Sequence, residues 1–117
     1  MTHATPLSES SAHLDLAREL PVRPDTTSSR VVVNNPLLRV VLFAFDAGQR
    51  LTEHTSPRAV VCQLVSGRLS FRVGEACHEM VGGDVICLAP GDPHALIALE
   101  PSHLLLVMVD TDPELAA

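Results

Sequence analysis

The sequence predicts an all-β fold, an antiparallel double-sheet jelly-roll barrel, and three observations carry that expectation. Short apolar runs rich in Val, Leu and Ile recur from Arg30 onward. Gly, Pro, Asn and Asp punctuate them at short intervals, and no stretch after Pro36 is long and one-sided enough to supply a crossover helix. The chain has 117 residues, 46% of them hydrophobic, with three Phe and no Tyr or Trp, so branched aliphatics must fill the interior, and these favour strands. One domain of this size buries about two thirds of the surface that the unfolded chain exposes.

Residues 1–29 read as an N-terminal arm, short and irregular or helical. Its first twelve or so residues are rich in Ser and Thr and are expected to fray. Leu14, Leu16, Ala17 and Leu20 form a brief apolar pattern that Pro21 and Pro24 keep from becoming a long helix, and Asp25 to Ser29 reads as a polar linker. Residues 30–111 form the barrel, with strands expected at Arg30 to Asn34, Leu37 to Asp46, Ala59 to Val65, Arg68 to Val73, Cys77 to Val81, Asp84 to Leu88, Ala95 to Glu100 and His103 to Val109. Eight strands at this spacing suit a jelly roll, and their short loops predict that sequence neighbours mostly pair as hairpins. Residues 112–117 are a tail.

Several function classes are disfavoured by composition. The net charge of −6, with eight scattered Arg and no Lys, offers no basic stripe for nucleic acid. The longest apolar run, Leu104 to Val109, is too short to span a bilayer, and the first residues have neither a basic start nor an apolar core of a signal peptide. Cys62, Cys77 and Cys87 are an odd set inside apolar runs, which reads as buried thiols of a cytoplasmic protein rather than a disulfide scaffold.

Histidines are the residues most able to carry chemistry, because imidazole ligates metals and titrates near neutral pH. No Ser or Cys sits in a context that would activate a nucleophile. His3 and His13 fall in the arm and read as solvent-exposed, and His78 reads as a partly exposed strand residue. His54 and His94 each stand beside a strand in a specific context. The segment Gly48 to Gly67 reads GQRLTEHTSPRAVVCQLVSG, and Gly83 to His94 reads GDVICLAPGDPH.

These two segments resemble the two motifs of the cupin superfamily, and the chain looks like a small single-domain, RmlC-like cupin. In that family the first motif runs Gly, five residues, His, one residue, His, three or four residues, Glu, six residues, Gly. The second runs Gly, five residues, Pro, one residue, Gly, two residues, His. Gly48, His54 and Gly67 match the first motif; Gly83, Gly91 and His94 match the second, with Ala89 at the Pro position and Pro90 directly after it. The resemblance implies a barrel cavity, and in metal-bearing members three His and one Glu converge there on a divalent ion. In this chain the second His position holds Ser56 and the Glu position holds Val60, so His54 and His94 are the remaining metal candidates.

If Val60 points inward, strand alternation sends Cys62 and Leu64 inward and Gln63 outward. Cys62 is then a conceivable third donor or a buried small hydrophobe, and His103 a conceivable donor or a turn-adjacent surface residue. Two functional readings follow. In the first, the barrel binds a small organic molecule in a cavity lined by His54, Ser56, Val60, Cys62 and His94, without a full metal site or any required cofactor. In the second, His54 and His94 hold Zn, Fe, Ni or Mn in a metal-dependent oxygenase, isomerase or hydrolase. Whether the protein is an enzyme stays open between them. Under either reading, or a purely structural role, Leu38 to Phe45 is apolar on both faces, which predicts a homodimer formed through a sheet face.

Overall fold

The computed structural model describes residues 6–110. Among these, nine strands form two antiparallel sheets: β1 (Thr27–Asn34), β2 (Leu38–Phe45), β3 (Arg50–His54), β4 (Ala59–Ser66), β5 (Arg68–Val73), β6 (Ala76–Val81), β7 (Val85–Leu88), β8 (His94–Ala98) and β9 (Ser102–Val109). One sheet has the order β1-β2-β9-β4-β7, and the other β3-β8-β5-β6. The expected fold class is therefore present, with one strand more than the sequence predicts. The additional strand, β3, has only Leu51 as an aliphatic side chain among Arg, Thr, Glu and His, and it lies at a sheet edge, where polar residues face water.

Chain neighbours pair less often than the short loops suggest. Of seven strand pairings only β1-β2 and β5-β6 join consecutive strands. The reason is visible at Ser66-Gly67-Arg68, where the chain crosses from one sheet to the other instead of folding back as a hairpin. β1 also starts at Thr27, so part of the expected linker is strand. Of the expectations for the termini, those for His3 and for residues 1–5 and 111–117 fall outside the described residues.

The core follows from period-two alternation. Val60, Cys62 and Leu64 of β4 point inward, as do Leu69 and Phe71 of β5 and Leu96 and Ala98 of β8, and they meet Phe45, Met80, Leu88 and Leu104. Gln63 faces out. Each buried Leu or Phe contributes roughly 1.5–3 kcal/mol. One end of the barrel is sealed at the sheet crossing. Gly67 has φ +94°, and a Cβ there would collide with the Ser102 hydroxyl and the Pro101 carbonyl. Ser102, wholly buried, accepts from the Arg68 N–H at 3.0 Å and donates to the Glu100 carbonyl at 2.7 Å.

The arm packs on its own barrel. A single helical turn, α1 (Leu16–Glu19), stands against Leu42 and Leu105 on the outer face of the five-stranded sheet, and Leu42 is 1% exposed. His103 anchors the following residue: its Nε2–H donates to the Leu20 carbonyl at 2.7 Å, and the Ser66 hydroxyl donates to its Nδ1 at 3.2 Å. His103 is thus buried under the arm, neither a surface residue nor near the cavity.

The cysteines need correction too. Cys62 is buried, but Cys77 and Cys87 are exposed, because both lie on edge strands, β6 and β7, with side chains turned outward. His78, on the same edge strand as Cys77, is exposed rather than partly so.

Candidate functional site

At the end of the barrel opposite the sheet crossing, the β3–β4 and β7–β8 connections frame a cavity. The two are tied together by the Gly91 N–H, which donates to the Ser56 carbonyl at 2.8 Å. Gly91 has φ +86°, a conformation that L side chains resist, so glycine at this motif position serves the turn that makes this bond. The neighbouring Pro93 carbonyl accepts from the Gly74 N–H at 2.8 Å, which fixes the loop to the β5–β6 turn.

His54 ends β3 and His94 begins β8, and the two are cross-strand partners beyond an irregularity in the β3–β8 register. Their rings meet edge to face with centroids 4.1 Å apart and planes at 61°. His94, 7% exposed, also lies nearly parallel to Phe71 at 6.2 Å, whereas His54 is exposed at the mouth. Each ring is oriented by the backbone two residues before it: His54 Nδ1 lies 2.9 Å from the Thr52 carbonyl and His94 Nδ1 lies 2.9 Å from the Asp92 carbonyl. A carbonyl only accepts, so both Nδ1 atoms carry the hydrogen and, in the neutral rings, both Nε2 atoms carry a lone pair.

All five sequence-selected residues, His54, Ser56, Val60, Cys62 and His94, line this cavity. Sequence reasoning missed Leu51, Phe71, Leu106 and Met108, which line the wall together with Leu88, Ala95 and Leu96. The signal for three of them is the alternation Leu69, Phe71 on β5 and Leu104, Leu106, Met108 on β9; Leu51 lay in the unrecognised strand. Beyond the imidazoles the lining is almost wholly apolar. Ser56 Oγ accepts from the Arg58 N–H at 3.1 Å, which leaves its own hydrogen available to donate. About 50 Å³ is open to the centre of a water-sized molecule. Burial, and then the neighbouring Cys87, push the Cys62 thiol up to about 12, so it is neutral across the physiological range.

The donors present do not fit the divalent ion that the fold family often holds. Two imidazoles supply half of a four-ligand set, Ser56 and Val60 stand where further donors would be, and the Cys62 thiol resists the deprotonation that ligation requires. The rings also touch at 4.1 Å, closer than the roughly 5 Å between two imidazole centroids that share one tetrahedral ion at about 2 Å. Among the described residues no three His, Cys, Asp or Glu side chains cluster as a metal site.

Two antiparallel sheets closed into a barrel, with motif histidines at its open end, define a small cupin domain. More particularly, the chain belongs to the family of AraC-like ligand binding domains, whose pattern its residues 39–117 match. Among solved structures, a conserved protein of unknown function from Streptococcus pyogenes, SPY1581, is 29% identical, with a TM-score of 0.82 over 95% of this chain and 97% of that one. A cupin superfamily protein from Desulfitobacterium hafniense is 16% identical, with a TM-score of 0.80 over 88% and 94%. KdgF from Halomonas sp. is 22% identical, with a TM-score of 0.70 over 81% and 89%. No curated protein matches the chain.

Proposed function

We propose that this protein is a ligand-binding cupin that holds a small organic molecule in the barrel cavity, oriented by His54 and His94 and without a resident metal. The observation that carries the reading is the pair of histidines whose Nδ1 atoms are taken by backbone carbonyls, set in an otherwise apolar cavity, a lining of the kind that fixes a small ligand through few polar contacts. Membership of a family described as ligand binding domains supports it. Ser56 adds a hydroxyl beside the imidazoles, and Val60 and Cys62 supply apolar wall. The expected test is a thermal-shift screen with organic compounds of a few heavy atoms, the size the cavity admits. At least one compound stabilises the wild type and leaves the His54→Phe/His94→Phe double variant, which keeps both ring volumes, unmoved. A screen with no hit, or hits that stabilise the double variant equally, overturns the reading.

The partner in this reading is a second copy of the chain. Cross-strand register places Val33, Val40, Val107, Val61 and Cys87 in one row across all five strands of the larger sheet, on its outer face. An apolar row of that length is the feature expected of an interface. Three free cysteines support a cytoplasmic setting. No helix among the described residues is long and apolar enough to cross a membrane.

A further inference from the structure

The hydrogen-bond polarity of the cavity restricts what can enter it. Thr52 and Asp92 use up the Nδ1 hydrogens of His54 and His94, so the two neutral rings, in contact at 4.1 Å, present acceptors and cannot donate to each other. Ser56, whose oxygen already accepts from Arg58, presents a donor. The remaining wall is hydrocarbon and thiol: Val60, Leu96, Leu106, Met108 and Cys62. A molecule that only accepts, such as a ketone, an ether or a carboxylate, would bond to Ser56 and leave the buried His94 lone pair facing its own. A hydroxyl resolves the mismatch at His94, because it donates to that Nε2 and accepts from Ser56 with the same atom, while the exposed His54 can pair with water.

We propose, on the basis of the ligand-binding reading above, that the cavity takes a small aliphatic alcohol, its hydroxyl donating to the buried His94 Nε2 and accepting from Ser56, its chain against the apolar wall and His54 at the mouth. The space, about 50 Å³, admits roughly four water-sized groups, which suits a chain of a few carbons. The buried His94 acceptor discriminates by about tenfold or more, because leaving it unpaired costs more than a formed bond gains.

The test uses the whole chain at pH 8, with butan-2-ol and butan-2-one as matched probes. Long-range proton–nitrogen spectra are expected to show both rings as Nδ1–H tautomers. Amide shifts at Cys62 and Leu96 are expected to saturate with butan-2-ol at concentrations at least tenfold below those needed with butan-2-one. Ser56→Ala, which leaves both imidazoles in place, should weaken the alcohol several-fold and reduce the preference for it. A hydrogen on either Nε2, or a ketone bound as tightly as the alcohol, overturns the assignment. If neither probe binds while other compounds still stabilise the protein through His54 and His94, the alcohol assignment falls and the ligand-binding reading stands. If the screen is silent as well, both fall.

Discussion

The two ends of the barrel are built from the same strands and put to opposite uses. β4 supplies Leu64 toward the sealed end and Val60 toward the open one; β8 supplies Ala98 and then His94; β5 supplies Leu69 and then Phe71. At the sealed end a glycine with no room for a Cβ and a buried serine that both donates and accepts lock the sheets together. At the open end the connecting loops meet through backbone hydrogen bonds, and imidazole nitrogens are left to pair with something else. Close packing and functional vacancy are thus separated along the strands rather than between layers, and stability at one end offsets the apolar surface left uncovered at the other.

The sharpest way to break that contrast is Cys62, which sits where the packed core meets the cavity. Burial keeps the Cys62 thiol neutral and shields it, so an aromatic disulfide reagent at pH 8 should modify the exposed Cys77 and Cys87 and label Cys62 at least about tenfold slower. Equal labelling of all three would mean that the open end reaches deeper than the geometry indicates. The sign of the pH effect on stability follows. A folded thiol that stays neutral up to about 12, against about 9 in the unfolded chain, costs nothing below pH 9. Between those values it destabilises by up to about 1.4 kcal/mol per pH unit, an effect that Cys62→Ala should remove.

Two glycines make the comparison quantitative, because Gly67 and Gly91 share a left-handed backbone but not their surroundings. Gly67→Ala combines an unfavourable φ with a collision against Ser102 and should lose roughly 2–4 kcal/mol in a urea titration. Gly91→Ala has no atom within 4 Å of the new Cβ and should lose only about 1–2 kcal/mol from the backbone. Similar losses would show that the sealed end can relax. The smallest effect on fold stability is expected on the outer face: Val61→Arg should change unfolding free energy by less than about 1 kcal/mol while converting the dimer to a monomer in light scattering. A wild type that is already monomeric at high concentration would remove the assembly from the proposal.

Much of this was legible in the sequence because period-two alternation and turn residues are local signals. The motif glycines placed both histidines, and alternation from Val60 gave Cys62 and Leu64 inside and Gln63 outside. What escaped was non-local or weakly patterned. Arg50 to His54 has too few aliphatics to read as a strand. His103 could not be read as buried, because the group that covers it belongs to Leu20, 83 residues away in the chain. The exposed Cys77 and Cys87 follow from which strands end up at sheet edges, a property of sheet order. Tautomers, likewise, were fixed by carbonyls that only the folded loops bring into line.

The position of β9 bears on how the molecule assembles. It runs between β2 and β4 in the larger sheet, so the β1-β2 hairpin and the β4-β7 pair have no contact within that sheet until it arrives. Leu106 and Met108 of the cavity wall arrive with it, as do Leu104 of the core and His103, the anchor of the arm. Folding of the larger sheet is therefore expected to be all-or-none and comparatively slow for a chain of this size, with the earliest residues docking last. A chain cut before Ser102 should hold neither the sheet nor the arm, whatever local hairpins it forms.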